Sequence, residues 1–106
     1  MSIFNIFSRK DINQGVKRFR ENKDAILLDV RTREEYASGH IEGSCNLPLD
    51  EIDRAESIIR DKSTPLYVHC LSGGRSARAA AYLRGKGYKD VHDIGGIGSY
   101  TGKIVV

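Results

Sequence analysis

The strongest constraint on the fold is an alternation of short apolar runs with segments of helical character. The runs at 25–28 and 66–69 have the length and continuity of strands that are buried on both faces. A capping box at 32–35 begins a short helix that stops at Gly39, and an alanine-rich helix at 76–83 follows the second run. This order predicts an α/β fold, with a central, mostly parallel sheet flanked by helices on both faces.

Four further elements complete the predicted order. They are a first helix at about residues 9–22, a brief strand at 44–47, a helix that begins at Asp50, and a last strand at 91–94. The helix capped by Asp50 places four apolar side chains on one face: Ile52, Ala55, Ile58 and Ile59. Gly95 and Gly96 are expected to open an irregular tail.

Length and composition predict one globular domain. The 106 residues, 40% of them hydrophobic and 29% charged, are expected to form a single domain over 1–106. Two cysteines are too few for a disulfide-dense scaffold. The first residues lack the features of a signal peptide, and no apolar run has membrane-spanning length. We therefore expect a cytoplasmic monomer that does not bind membranes.

The net charge of +3 is unevenly distributed. Residues 1–62 hold 11 basic and 12 acidic side chains, whereas residues 63–106 hold 6 basic and 2 acidic ones, as well as 8 of the 11 glycines. The overall excess is too small to indicate nucleic-acid binding. Its position predicts a site for a small anion in the second segment.

Residues 69–76 (HCLSGGRS) carry the strongest chemical signal. Cys70 follows a predicted buried strand, and Gly73 and Gly74 allow the next residues to wrap tightly before a helix begins. Backbone amides and the helix N-terminus then favour a thiolate at Cys70, and Arg75 adds a positive charge. The alternative is an inert strand-end cysteine that is followed by an ordinary turn.

Several segments resemble the family of single-domain rhodaneses. Residues 29–36 (DVRTREEY), 39–44 (GHIEGS) and 46–49 (NLPL) resemble its first signature, and residues 70–75 resemble its active-site loop. Residues 87–91 (GYKDV), followed by two glycines, resemble its closing motif, although Tyr100 stands where related sequences commonly carry tryptophan. The resemblance extends over about residues 4–104 and implies that this core has a rhodanese fold. It also implies a sulfurtransferase in which Cys70 carries a sulfane sulfur as a persulfide.

The predicted mechanism needs no cofactor and no metal. A Cys70 thiolate attacks the outer sulfur of thiosulfate or of a persulfide donor, and a thiol or cyanide later accepts that sulfur. The backbone amides of the loop hold the anionic persulfide, and Arg75 steers or orients the anionic donor. The predicted substrate-binding residues of the loop are Leu71, Ser72, Gly73, Gly74, Arg75 and Ser76. The acceptor thiol can belong to a thioredoxin-like protein.

Two other functional classes remain open. The C-x4-R spacing is one residue shorter than the C-x5-R loop of related phosphatases, which disfavours a phosphatase or an arsenate reductase. A non-catalytic rhodanese-like binding module is disfavoured by the presence of Cys70. Such a module would bind its partner equally well after Cys70→Ser.

The remaining candidate residues are given structural roles. Asp29 and Arg31 support the site as a buried ion pair in preference to contacting substrate. His69 neighbours Cys70 but points to the opposite face of the strand, so that packing is favoured over general-base catalysis. Cys45 is expected in the core, with a resolving thiol as the alternative. His40 is assigned to stabilising the fold, and His92 is placed at a late strand edge without an identifiable partner.

Overall fold

The computed structural model describes residues 10–106, and a four-stranded parallel sheet forms its centre. The strands lie in the order β3-β1-β4-β5. Their bounds are β1 Ile26–Asp29, β3 Cys45–Asn46, β4 Leu66–Cys70 and β5 Val91–Gly96. A second, antiparallel pair joins β2 (His40–Ile41) to β6 (Ile104–Val105).

Helices connect the strands and cover both faces of the sheet. The α-helices are α1 Ile12–Arg20, α2 Arg33–Ser38, α3 Ala55–Ile58 and α4 Gly74–Gly85, and short 3-10 helices occupy Leu49–Arg54 and Ile97–Ser99. The predicted capping box begins α2, because Thr32 and Glu35 each bond to the other's backbone N–H. The predicted first helix is shorter than expected, and residue 9 lies outside the described residues.

The core consists of two apolar clusters, one on each face of the sheet. Leu27 and Tyr67 pair across β1 and β4 and join the cluster that packs under α1, whereas Leu28 and Val68 join the cluster under α4. Burial of each such side chain stabilises the fold by about 1.5–3 kcal/mol. Successive residues of β1 and β4 thus point to clusters on opposite faces of the sheet, each covered by a helix, which confirms the predicted α/β architecture.

The segment after Pro48 does not form the predicted single helix. A 3-10 helix runs to Arg54 and changes to α-helix at Ala55, and Pro48 precedes it without any side-chain cap from Asp50. Ile58 is 53% exposed, whereas Ile59 is buried. The prediction for Ile58 is wrong because the α-turn from Ala55 returns to the same face four residues later, at Ile59.

The predicted irregular tail is also wrong. Strand β5 continues through Gly96, after a bulge in the pairing opposite Val68 and His69, and Gly96 pairs with Cys70. A Cβ atom at Gly96 would lie 2.2 Å from the carbonyl oxygen of Leu71. The missing side chain therefore lets β5 pack directly against the loop that follows Cys70.

Within residues 10–106, no helix has the length and apolar character needed to cross a membrane.

Candidate active site

Cys70 is the last residue of the central strand β4, and the chain turns sharply after it. Gly73 adopts a left-handed conformation with φ +111° and forms the N-cap of α4. Residues with a side chain rarely adopt this conformation, so a glycine here allows the turn to close on the sulfur. The Gly73 N–H donates to Cys70 Sγ at 3.0 Å.

The sulfur is buried but surrounded by polar groups. Cys70 is 1% exposed. Burial raises the pKa of its thiol, but hydrogen bonds with Ser76 and with the amides of Gly73 and Ser72 outweigh that effect, so the pKa lies below its ordinary value. The arrangement favours the thiolate, which is the nucleophilic form of cysteine.

Arg75 is held by a carboxylate of the same chain. Its guanidinium donates two hydrogen bonds to Glu35, at 2.6 and 3.0 Å, and both side chains are about 30% exposed. The Arg75 hydrogen bond is the largest of the effects that lower the Glu35 pKa to about 2. The positive charge that the sequence predicts in the loop is thus paired with Glu35, and the pair ties the start of α4 to α2.

Ser76 links the sulfur to strand β5. Its Oγ lies 3.6 Å from Cys70 Sγ, which donates to it, and Oγ itself donates to Asp93 Oδ1 at 2.8 Å. Ser76 is fully buried, whereas the sequence suggests only a backbone role for it. Asp93 belongs to none of the sequence motifs and is not predicted as a site residue, although a carboxylate within a predicted buried strand is a signal for a specific role.

Asp29 and Arg31 form the expected buried ion pair at the end of β1. Arg31 donates to both carboxylate oxygens of Asp29, with the shortest distance 2.7 Å, and it also donates to the carbonyl of Gly39. Asn46 donates to the backbone carbonyls of both residues. These hydrogen bonds hold the end of β1 in place beside β4.

His69 is buried and faces away from the sulfur. Its Nδ1 lies 3.1 Å from the Cys70 carbonyl, which can only accept, so Nδ1 carries the hydrogen. Its Nε2 lies 3.7 Å from Asp29 Oδ2 and has no hydrogen-bond partner among the described residues. Burial lowers the His69 pKa below its ordinary value, so the ring is neutral and packs in the core. This confirms the packing interpretation.

Comparison with known proteins decides the family. The profile of the rhodanese-like domain matches residues 13–103. The chain belongs to the rhodanese-like domain family. Its likeness to a solved structure, described as rhodanese with anions from E. coli, has a TM-score of 0.71 at 32% identity and covers 76% of this chain and 96% of that one.

Two bacterial relatives illustrate the range of this rhodanese-like family. The uncharacterized protein YqhL of Bacillus subtilis is 37% identical over 83 residues, which are 77% of this chain and 65% of YqhL. The thiosulfate sulfurtransferase GlpE of Pseudomonas putida is 37% identical over 78 residues, which are 73% of this chain and 69% of GlpE.

Other relatives are much longer than the rhodanese-like domain. The chain spans 25% of the adenylyltransferase and sulfurtransferase uba4 of Ogataea parapolymorpha. It spans 31% of the tRNA uridine(34) hydroxylase of Buchnera aphidicola. The same domain thus occurs in proteins of different names and sizes.

Cys45 is exposed, which contradicts its expected place in the core of the domain. It lies on β3, a two-residue strand at the sheet edge, where the side chain is not covered. Strand β1 separates β3 from β4, and Cys45 lies level with Val68, two residues before Cys70. The two cysteines are therefore more than two strand spacings of about 4.8 Å apart. A disulfide needs Cα atoms within roughly 7 Å, so the fold does not bring Cys45 and Cys70 into bonding distance.

The other histidines are engaged within the domain. His40 stacks on Tyr36 and contacts its carbonyl through Nδ1 at 2.8 Å, which fits a role in the fold. His92 stacks on Tyr67 and lies 2.5 Å from Asp90, partners that the sequence does not reveal. Among residues 10–106, no cluster of three or more histidine, cysteine or acidic side chains could hold a metal ion.

A cavity of about 380 Å³ lies beside the loop. Leu71, Ser72 and Gly73 form one side of it, and Gly96 and Lys10 contribute to the others. Leu71 is 46% exposed. The loop that holds the buried sulfur is thus open to solvent at its outer surface.

Proposed function

We propose that this chain is a sulfurtransferase in which Cys70 carries a sulfane sulfur as a persulfide. One observation carries the proposal above the others: Sγ accepts the Gly73 N–H at 3.0 Å from within a turn that directs polar groups at a buried sulfur. An inert core cysteine needs no such donors. The thiosulfate sulfurtransferase GlpE among the relatives supports the same reaction class.

The first half-reaction transfers a sulfur atom to Cys70. The Cys70 thiolate attacks the outer sulfur of a donor such as thiosulfate, and a new bond forms between Sγ and that sulfur. The sulfur–sulfur bond of thiosulfate breaks, and its electron pair leaves with sulfite. No proton moves, because the thiolate becomes an anionic persulfide. The hydrogen-bond donors of the loop that stabilise the thiolate can also stabilise the persulfide.

The second half-reaction restores the thiolate. An acceptor thiolate or cyanide attacks the outer sulfur of the persulfide, and the electron pair of the broken bond returns to Cys70 Sγ. The product is an acceptor persulfide or thiocyanate. Two separate half-reactions predict ping-pong kinetics.

The positive end of α4 can attract the anionic donor. This helix has 12 residues and begins directly at the loop, so that its N-terminal N–H groups face the sulfur side. Arg75 contributes less than the sequence suggests, because Glu35 neutralises it. Backbone amides can bind a small sulfur anion or the persulfide of a partner protein as the sulfur donor. The exposed outer surface of the loop is accessible to the acceptor, which can be a thiol of a thioredoxin-like protein.

A phosphatase is less well supported. Only four residues separate Cys70 from Arg75, and the Arg75 guanidinium uses two of its N–H groups on Glu35. A phosphate would have to replace that carboxylate in order to bind the arginine.

A single-turnover assay tests the proposal. The protein is mixed with an excess of thiosulfate, persulfides or other sulfane donors, and sulfite or the corresponding product is measured without an acceptor. Close to one equivalent per active site is expected from the wild type and from Cys45→Ser, and none from Cys70→Ser. Cys45 is a matched control, because it is the other cysteine of the chain and is exposed.

Two results would overturn the proposal. One is the absence of sulfur uptake from every donor by a folded protein whose Cys70 remains reactive toward alkylating agents. The other is Cys70-dependent hydrolysis of an aryl phosphate, which would indicate a phosphatase instead.

A further inference from the structure

The Ser76 hydroxyl lies among more acceptors than it can serve. Its Oγ donates to Asp93 Oδ1 at 2.8 Å and has the carbonyls of Gly73 and Gly95 at 3.1 and 3.4 Å. Cys70 Sγ lies 3.6 Å away. A serine hydroxyl has one hydrogen, so these acceptors compete for it.

Asp93 is the strongest of these hydrogen-bond acceptors. Its carboxylate is charged and closest to Oγ, and hydrogen bonds to charged groups are shorter and stronger than neutral ones. Its side chain is only 6% exposed. The Gly95 N–H donates to Oδ1 at 3.2 Å, and Lys10 Nζ lies 3.7 Å from Oδ2. These contacts orient the carboxylate toward Ser76.

The contact with Cys70 changes when the sulfur loses its proton. In the neutral state, the thiol donates to Oγ while the hydroxyl donates to Asp93. A thiolate has no hydrogen to donate and can only accept. It gains the Ser76 hydrogen bond only if the hydroxyl turns away from the carboxylate.

We propose that Asp93 is a positioning residue that retains the Ser76 hydroxyl hydrogen, so that the Cys70 thiolate must compete with a carboxylate for it. The role in sulfur transfer rests on the proposed function, but the competition itself does not. Asp93 thereby limits how far Ser76 stabilises the thiolate.

Other charged or titratable groups surround these residues and act on them independently of Ser76. Arg75 at the start of α4 interacts with Cys70 through its charge. Lys10 ahead of α1 faces Asp93. On β1 and β4, the remaining groups form one buried cluster: Asp29, Arg31 and His69.

A double-mutant cycle separates the hydrogen bond from these through-space effects. The variants are Asp93→Asn, Ser76→Ala and their combination, all in a Cys45→Ser background so that Cys70 is the only thiol. The rate of alkylation by iodoacetamide is measured from pH 5 to pH 10, which gives the apparent pKa of Cys70. Asp90→Asn is the matched control, because it removes the same charge from a residue that pairs with His92.

The proposal predicts a specific pattern of rates. At pH 6, Asp93→Asn should accelerate alkylation about threefold to tenfold, the range expected for one hydrogen bond. The gain should shrink to less than about twofold when Ser76 is already alanine, and Asp90→Asn should change the rate by less than about twofold. Circular dichroism shows whether each variant is folded.

A second variant keeps the proposal testable if Asp93→Asn does not fold. Lys10 is half exposed, and Lys10→Met removes the cation beside Asp93 without entering the core. The carboxylate then holds the hydroxyl more strongly, and alkylation at pH 6 should slow about twofold, but not in the Ser76→Ala background. Equal effects with and without Ser76 would overturn the proposal. Because alkylation requires no sulfur donor, loss of sulfur uptake alone would count against the proposed function and not against this inference.

Discussion

The ends of β1 and β4 lie side by side in the sheet and are built differently. Each ends in a buried residue and is followed by an arginine that pairs with a carboxylate. At the end of β1, Asp29 and Arg31 are 0% and 5% exposed and bind each other. At the end of β4, Cys70 is buried, but Arg75 and its carboxylate partner are about 30% exposed.

The comparison indicates that the end of β1 stabilises the fold, whereas the end of β4 holds the reactive group. At β1, two buried charges pair with each other. At β4, backbone and hydroxyl groups surround a sulfur that has no fixed charge partner among its hydrogen bonds. Changes at β1 should therefore lower stability, whereas changes at β4 should lower reactivity in a protein that still folds.

The largest effect is expected from breaking the buried pair. Arg31→Ala leaves Asp29 buried without its partner, which costs about 3–5 kcal/mol of unfolding free energy. Arg33→Ala is the control, because its pair with Glu51 lies on the surface, where solvent screens the two charges and the loss of stability should be much smaller. Urea denaturation measures both. Equal losses in the two variants would contradict the contrast between the strand ends.

A smaller stability change with a large loss of reactivity is expected at Gly73. Gly73→Ala has free space for its Cβ, but the left-handed backbone costs about 1–2 kcal/mol. Relaxation of the turn would remove the Gly73 N–H from the sulfur, and sulfite release should slow by about tenfold or more. Gly74→Ala is the control, because its Cβ also meets open space and its φ is not positive. Equal activity in both variants would show that the turn conformation is unimportant.

The smallest effect is expected at the exposed pair. Glu35→Gln keeps the capping box but weakens the link to Arg75, at a cost of up to about 1 kcal/mol. The Glu35 pKa of about 2 lies below its ordinary 4.5. The stability that the charged carboxylate adds to the folded protein is therefore fully present above pH 4.5 and is lost as the pH falls toward 2. The variant's urea midpoint should therefore approach that of the wild type in acid. Glu34→Gln, on the exposed side of the same turn, should change little. A constant difference across this pH range would contradict the assignment.

Local patterns in the sequence predict the local parts of the site. The apolar run before Cys70, the glycines after it and the Thr32 capping box each act within a few residues, and the structure contains all of them. The fold class follows from their order along the chain. Cys70 and its turn can therefore be predicted from the sequence alone.

Contacts between distant residues are what the sequence does not reveal. Arg75 and Glu35 are 40 positions apart, and Ser76 and Asp93 are 17 apart, so these pairs depend on which strands become neighbours. The Cys45 prediction fails for a related reason. A residue in a strand is buried only if neighbouring elements cover it, and β3 lies at the edge of the sheet.

Site-resolved mass spectrometry tests the central claim most directly. The wild-type protein is incubated with a sulfane donor, unreacted thiols and persulfides are trapped by alkylation, and the peptides that contain Cys45 and Cys70 are analysed separately. We expect the mass of one added sulfur atom on the Cys70 peptide, its loss on addition of an acceptor thiol, and no addition at the exposed Cys45. Sulfur on Cys45 with Cys70 unmodified would contradict it.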